Sequence, residues 1–297
     1  MRSRVTVFAF LGLFAALGTV SAQLQPDPAI ECDSCPGWNR PHAPFQIFGN
    51  TYYVGTAGLS AILITSDAGH ILLDGALSQS APAIDRNIRT LGFRTEDVRL
   101  IVNSHAHFDH AAGIAALQRL SGATVATSAA GVEALRQGAP LATDPQSASG
   151  SFPAVSNLRA VDDGETLTVG DLAITGHHTP GHTPGGTTWT WRPCEGTRCL
   201  DFVYADSLSA VSDSGFRYTD GEGGPERVAS FRRSIQRVSE LPCDILVSTH
   251  PEFSRLFEKQ ARADSGAGRD AFIDSHGCEA YAGAAMRSLD RRVAEER

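Results

Sequence analysis

Four residues that can bind a metal fall within six positions of this chain: His105, His107, Asp109 and His110, in the stretch SHAHFDH. Histidine is otherwise sparse, ten in 297 residues. The cluster comes directly after RLIVNS (99–104), a short apolar run that reads as a buried strand. A fold that uses such a cluster must hold it at the end of a rigid strand and bring further ligands to it from elsewhere. The rest of the chain offers them. His182 follows the strand-like LAITGHH by a short Pro/Gly turn, Asp206 ends FVYAD, and His250 ends DILVST. Each candidate sits at the carboxyl end of an apolar strand, the edge where open sheets bind ligands. A lone histidine is ordinarily a hydrogen-bonded structural residue. Several strand ends that each deliver one are a different matter.

Within a turn, His105 and His107 can face one side while Asp109 and His110 are carried to another. The set therefore divides into two sites, His105/His107/His182 and Asp109/His110/His250. Three protein ligands with an open fourth position is the pattern of a catalytic rather than a structural zinc. Two such ions lie about 3.5–4 Å apart and can share a hydroxide at neutral pH. Two histidines with a carboxylate would also suit ferrous iron. The all-histidine partner site in an exported chain favours zinc.

Export is read from the first residues. Arg2 and Arg4 precede an apolar stretch, Val5 to Val20, and small residues follow, which is a secretory leader with cleavage expected after Ala22. Its apolar core is short for a span of about 20 residues, and no later segment is long or apolar enough to cross. The expectation is a leader over 1–22 and a single domain over 23–297 with an irregular arm at 23–44, periplasmic and off the membrane in the mature form. A net charge of −8 leaves no electrostatic footprint for nucleic acid.

Beyond the arm, strands are expected at LSAILIT (59–65), HILLD (70–74), RLIVNS and ATVATS (123–128), with helices at APAIDRNIRTLGF, at AAGIAALQRL and from Ala129. Residues 137–157 are polar and structureless, and loops of that length are usually functional or disordered. The alternation then repeats: ETLTVG, LAITGHH, TTWTWR and FVYAD as strands, Pro225 to Leu241 as a helix, DILVST as a strand, Cys278 to Glu296 as a closing helix. Two strand sets, each flanked by helices, predict an α/β fold of αββα sandwich type. Six cysteines in an exported chain suggest disulfides. CEGTRC reads as a hairpin tip, which favours a local Cys194–Cys199 pair.

The H-x-H-x-D-H motif at 105–110, GHTPGG at 181–186 and the late His250 resemble the metallo-β-lactamase superfamily, over essentially the whole chain after the leader. YADSLSA (204–210), CDILVSTHP (243–251), WN (38–39) and FGNTYYVGT (48–56) are similar to subclass B3 in particular. The resemblance implies the four-layer sandwich of that superfamily and two zinc ions per chain. It matches Asp74 in LLDG to a buried aspartate that supports the metal loop. It also implies a Cys243–Cys278 disulfide and places Ser207 where other subclasses carry a cysteine ligand. Ala57 stands where similar chains carry a cysteine, which leaves Cys32 to pair with Cys35 or stay free.

The activity implied is hydrolysis of the β-lactam amide of penicillins, cephalosporins and carbapenems, hence antibiotic resistance, by a zinc-held hydroxide that Asp109 orients and without a covalent intermediate. Other families grip the substrate carboxylate with a lysine near the second zinc. The one lysine here, Lys259, lies well past His250, so Ser209 and Ser207 are expected in that role, with Gln146 and Trp38 bordering the pocket. A monomer is expected, its partner a small-molecule β-lactam. The rival on the same scaffold is a lactonase or glyoxalase II-like thioesterase, in which Asp206 would bridge both metals. Export weighs against the rival. A non-catalytic zinc protein is weighed against by six intact ligand positions.

Overall fold

The first of two facing sheets has seven strands in sequence order: β1 (Phe45–Phe48), β2 (Thr51–Tyr53), β3 (Ile62–Ile64), β4 (His70–Leu73), β5 (Val98–Val102), β6 (Thr124–Thr127) and β7 (Leu158–Ala160). This computed structural model describes residues 24–297, and the leader read over 1–22 lies outside them. Short connections make β1 to β4 antiparallel. From β4 onward each strand runs parallel to the last, because the chain must cross over through longer segments. These contain the helices α2 (Ala81–Thr90), α3 (Phe108–Ala111), α4 (Ile114–Ser121) and α5 (Ala129–Gln137). The arm before β1 carries one helical turn, α1 (Cys35–Trp38).

The second sheet has the order β14-β13-β10-β9-β8. Its strands are β8 (Thr166–Val169), β9 (Leu172–His178), β10 (Thr187–Trp191), β13 (Phe202–Ala205) and β14 (Ile245–Ser248). A small hairpin, β11 (Cys194–Glu195) with β12 (Arg198–Cys199), projects between β10 and β13. The helix α6 (Gly224–Glu240) carries the chain from β13 to β14, which pair in parallel. The helices α7 (Leu256–Arg262) and α8 (Gly277–Glu295) follow.

Alternation along each strand builds the layers. Ile71 and Leu73 of β4 enter the core between the sheets, with Ile245 and Val247 of β14. Leu72, between them, packs outward with Ile84, Ile88, Ile114 and Leu117 of α2 and α4. Leu246 packs outward with Phe231, Ile235 and Leu289 of α6 and α8. Burying each such side chain contributes about 1.5–3 kcal/mol. Two tryptophans pin the sheets by their polar ends as well: Trp189 Nε1 donates to Asn103 O (3.1 Å) and Trp191 Nε1 to Thr51 Oγ1 (2.9 Å). The result is the expected four-layer αββα sandwich.

Some expectations are corrected. The helix read through AAGIAALQRL begins only at Ile114, as α4; a separate turn, α3, ends at Ala111, and the break falls at Gly113. A Cβ there would lie 2.1 Å from Gly75 O, and its N–H donates to Ala76 O at 3.0 Å rather than along the helix. The strands β1, β2 and β7 and the helix α7 were not anticipated. The six cysteines stand in pairs at bonding distance, Cys32 with Cys35, Cys194 with Cys199, and Cys243 with Cys278. Among the described residues no helix is long and apolar enough to cross a membrane.

Candidate metal centre

The carboxyl ends of β5, β9, β13 and β14 meet at one edge of the sandwich. His105, His107 and His182 are all buried there, and each presents a ligand nitrogen within 4.8 Å of the others. Every ring has its other nitrogen engaged. His105 Nδ1 donates to Asp206 Oδ1 (2.7 Å), His107 Nε2 to Asp144 Oδ1 (3.1 Å), and His182 Nδ1 to the Ser209 carbonyl (2.9 Å). Such outer partners fix which nitrogen keeps a lone pair for a metal. His105 Nε2 is accordingly buried with no hydrogen-bond partner. Burial, then the neighbouring imidazoles, hold His105 well below the usual histidine range, and burial with His107 pushes His182 down to about 3. Both rings are neutral at pH 7, as metal ligation requires.

The second triad turns on Asp109. His107 stands at the N-cap of α3, and the turn carries Asp109 and His110 away from His105 and His107. Asp109 Oδ2 lies 3.1 Å from His110 Nε2 and 3.3 Å from His250 Nε2. Two ligands of a tetrahedral zinc at about 2.0–2.1 Å stand about 3.3 Å apart, so this spacing fits a shared ion. Burial alone would raise the Asp109 carboxyl, but His110 and His250 hold it well below the usual range. His105, Asp109 and His110 also converge within 4.8 Å, so the two triads abut. His250 is held from behind by the Gly58 carbonyl, 3.1 Å from its Nδ1.

Two more carboxylates sit behind the ligands. Asp74, fully buried after β4 with φ +59°, accepts from Asn103 Nδ2 (2.9 Å), Ser104 N (2.8 Å), Ser104 Oγ (2.6 Å) and Tyr204 OH (2.8 Å). It thereby ties β4 and β13 to the residue next to His105. Asp206 lies on the Nδ1 side of His105, and its Oδ2 is packed so closely on Gly186 that a Cβ there would come within 2.3 Å. It belongs to neither converging group of ligand atoms.

The residues expected to meet substrate divide. Ser209 is half-buried with its hydroxyl 3.1 Å from His182 Nδ1. Ser207 is buried, its hydroxyl paired with Thr249 Oγ1 at 2.8 Å. The Trp38 ring stands 5.3 Å from the His250 ring. Gln146 is half-buried on the 138–157 loop, where its backbone N–H donates to Asp144 Oδ1 at 2.8 Å. Lys259 turns inward, 3.7 Å from Asp274, to line an apolar-walled cavity of about 300 Å³ beside Ser207 and Tyr281 that none of the six ligand candidates lines. Asp144, Phe253 and the Gly58 and Ser209 carbonyls went unforeseen. Phe253 could have been found from HPEF: it is 54% exposed and its ring is 5.8 Å from that of His250. The carbonyls leave no trace in a sequence.

Comparison with known proteins bears on this arrangement. The metallo-beta-lactamase superfamily model matches residues 55–191. The fold superposes on the Rm3 metallo-beta-lactamase with a TM-score of 0.87 at 48% identity, covering 90% of this chain and 99% of that one. It superposes on MEM-A1, a subclass B3 metallo-beta-lactamase from a soil metagenome library, with a TM-score of 0.85 at 50% identity, covering 87% and 98%. A probable metallo-hydrolase of Burkholderia pseudomallei is 29% identical over 63% of this chain, and the chain spans 66% of that relative's length.

Proposed function

This chain belongs to the metallo-β-lactamase superfamily, and from that premise we propose that it hydrolyses the amide bond of β-lactam antibiotics, using two zinc ions. The abutting triads carry this reading: six ligand side chains, with the outer nitrogens of His105, His107, His182 and His250 anchored by hydrogen bonds. The likeness to subclass B3 enzymes at 48–50% identity over nearly their full length supports it. Zinc in such a site supplies Lewis acidity toward a carbonyl and lowers the pKa of water to about 7.

The chain's own residues do the rest. His105, His107 and His182 enter as neutral ligands, so Asp109 brings the one formal negative charge among the six. The other carboxylates, Asp74, Asp144 and Asp206, stand behind the ligands, so zinc held on the ligand side would favour a substrate that carries its own carboxylate, as β-lactams do. Ser209 offers a hydroxyl to that carboxylate from beside His182, while Trp38 and Phe253 give the His250 side an apolar wall. Asp109, held ionised, uses Oδ2 toward His110 and His250, and its other oxygen can take a proton from water and return it to the departing amide nitrogen. No side-chain nucleophile is required and no acyl-enzyme forms. The position of Asp206 behind His105 weighs against the lactonase or thioesterase alternative. Action in the periplasm after export through residues 1–22 is part of the proposal.

The test is hydrolysis of a chromogenic cephalosporin by purified protein with and without EDTA, alongside zinc content. Activity should vanish with chelator and return with zinc, near two ions per chain. Asp109→Asn, which keeps the shape and removes the charge, should lower kcat by at least ~10²-fold. Chelator-resistant turnover, or full activity at one zinc, would overturn the dinuclear reading. A loss of zinc in Asp206→Ala, with lactone or thioester turnover in the wild type exceeding that of the cephalosporin, would favour the alternative.

A further inference from the structure

The three histidines of the first triad are backed by three different acceptors. His105 is held by a carboxylate at the end of a strand and His182 by a backbone carbonyl. His107 is held by a side chain on a long irregular segment, Asp144 of the 138–157 loop. That loop is secured at its ends. Phe152 and Val155 are buried in the core under the helices, and Val155 N donates to Leu135 O at 2.9 Å. Its crest is not secured in this way: Ser147 and Ala148 are exposed. What fastens the crest is Asp144 on its inner side and Asp213 on its outer side. Asp213 N donates to Pro145 O (2.8 Å), and Ala148 N donates to Asp213 Oδ2 (2.7 Å).

Asp144 is only 3% exposed, and Oδ1 accepts from both His107 Nε2 and Gln146 N. Burying a carboxylate is costly unless it is paired. Resting on the reading of His107 as a metal ligand, we propose that Asp144 is a positioning residue that couples the order of the 138–157 loop to occupancy of the first metal site. A carboxylate can only accept, so it forces the His107 proton onto Nε2 and leaves the Nδ1 lone pair for metal. A cation drawing density from Nδ1 makes Nε2–H a better donor, which strengthens its bond to Asp144 and closes the crest more firmly. Linkage is reciprocal, so a crest closed by Asp144 raises metal affinity by the same factor. Outer partners of this kind are worth roughly 10–100-fold in metal affinity.

The experiment uses full-length processed protein and does not rely on β-lactam turnover, so it stands or falls apart from the substrate assignment. Zinc affinity is measured by competition with a chromophoric chelator, and amide exchange of residues 145–151 is followed with and without zinc. In the wild type, zinc should slow exchange at the crest by up to ~10–100-fold. Asp144→Ala should lose about that factor in zinc affinity and abolish the zinc-dependent slowing. Asp144→Asn, whose amide oxygen can still accept from His107, should fall between them, and it keeps the test alive if the alanine variant folds poorly. Asp213→Asn, which loosens the crest without touching His107, should speed crest exchange with and without zinc and, through the same linkage, lower zinc affinity in the same direction as Asp144→Ala by a smaller factor. The proposal is overturned if crest exchange in the wild type is indifferent to zinc, or if Asp144→Ala binds zinc as tightly as the wild type.

Discussion

Asp74 gathers four donors at one buried carboxylate, which makes its removal a sharp test of how the metal loop is supported. The two oxygens have different partners. Oδ1 serves Asn103 Nδ2 and Ser104 N, neither with another acceptor, whereas Oδ2 serves the hydroxyls of Ser104 and Tyr204. Hydroxyls can accept as well as donate, and Tyr204 OH also has Ser60 O at 3.3 Å. Asp74→Asn can therefore keep all four contacts, its amide donating where Oδ2 accepted. It also removes a charge whose burial pushes the carboxyl above its ordinary range. Asparagine tolerates the left-handed φ of +59° as well as aspartate does. Asp74→Ala strands Ser104 N and Asn103 Nδ2, at about 1–3 kcal/mol each. It also puts an ordinary residue in a left-handed conformation, at about 1–2 kcal/mol. The alanine variant should lose about 3–8 kcal/mol, a large part of the ~5–15 kcal/mol by which domains are stable, and the asparagine variant about 0–2 kcal/mol. Urea unfolding of both in chelator, where zinc release does not contribute, measures the difference. Equal damage in the two variants would mean that charge rather than bond geometry is what matters. An alanine variant within 1 kcal/mol of the wild type would refute the support role.

Near the chain end, Glu296 accepts from Tyr218 N (3.1 Å), Thr219 N (2.9 Å) and Arg292 Nε (2.6 Å). Burial opposes ionisation, but these donors hold its carboxyl below the ordinary value of 4.5. A depressed carboxylate contributes stability above its unfolded pKa and loses it as pH falls through the folded one. The stability gap between wild type and Glu296→Gln should thus be full at pH 7 and shrink below about 4.5; a gap that stays constant with pH contradicts the assignment. A bond between Cys243 and Cys278, 35 residues apart, is worth about 3.5–4 kcal/mol by chain entropy. Replacing both with serine should lower Tm by several degrees and leave zinc affinity unchanged, whereas two titratable thiols there in the native protein would show that no bond forms.

The convergence of the candidate ligands was legible because histidine is rare here and because each candidate follows an apolar strand. Chemistry and place agreed. The layering was legible from strands and helices alternating in two sets. The break at Gly113 was hidden, because its cause is Gly75, distant in sequence and adjacent only once β4 and β5 pair. β7 escaped notice because LRA is three residues at the edge of a sheet, too short to show a period. Asp206 was ambiguous between bridging the metals and backing His105, since a strand-end aspartate can serve either purpose until its rotamer is fixed by Gly186. Asp144, in TDPQ, reads as an ordinary turn residue. Its burial against His107 depends on how a structureless loop folds over the site.

The candidate ligands come from both sheets: His105, His107, Asp109 and His110 follow β5, while His182 and His250 follow strands of the other sheet. If the two triads hold metal as proposed, neither half of the chain supplies both, and the final candidate ligand arrives only with β14, the last strand in the sequence. Contacts this distant in sequence form slowly, because chain closure must precede the reward. Metal capture should therefore come late in folding, after the sheets have docked. A zinc-sensitive signal followed during refolding would report the closing of the sandwich itself, lagging behind the signals of the separate sheets.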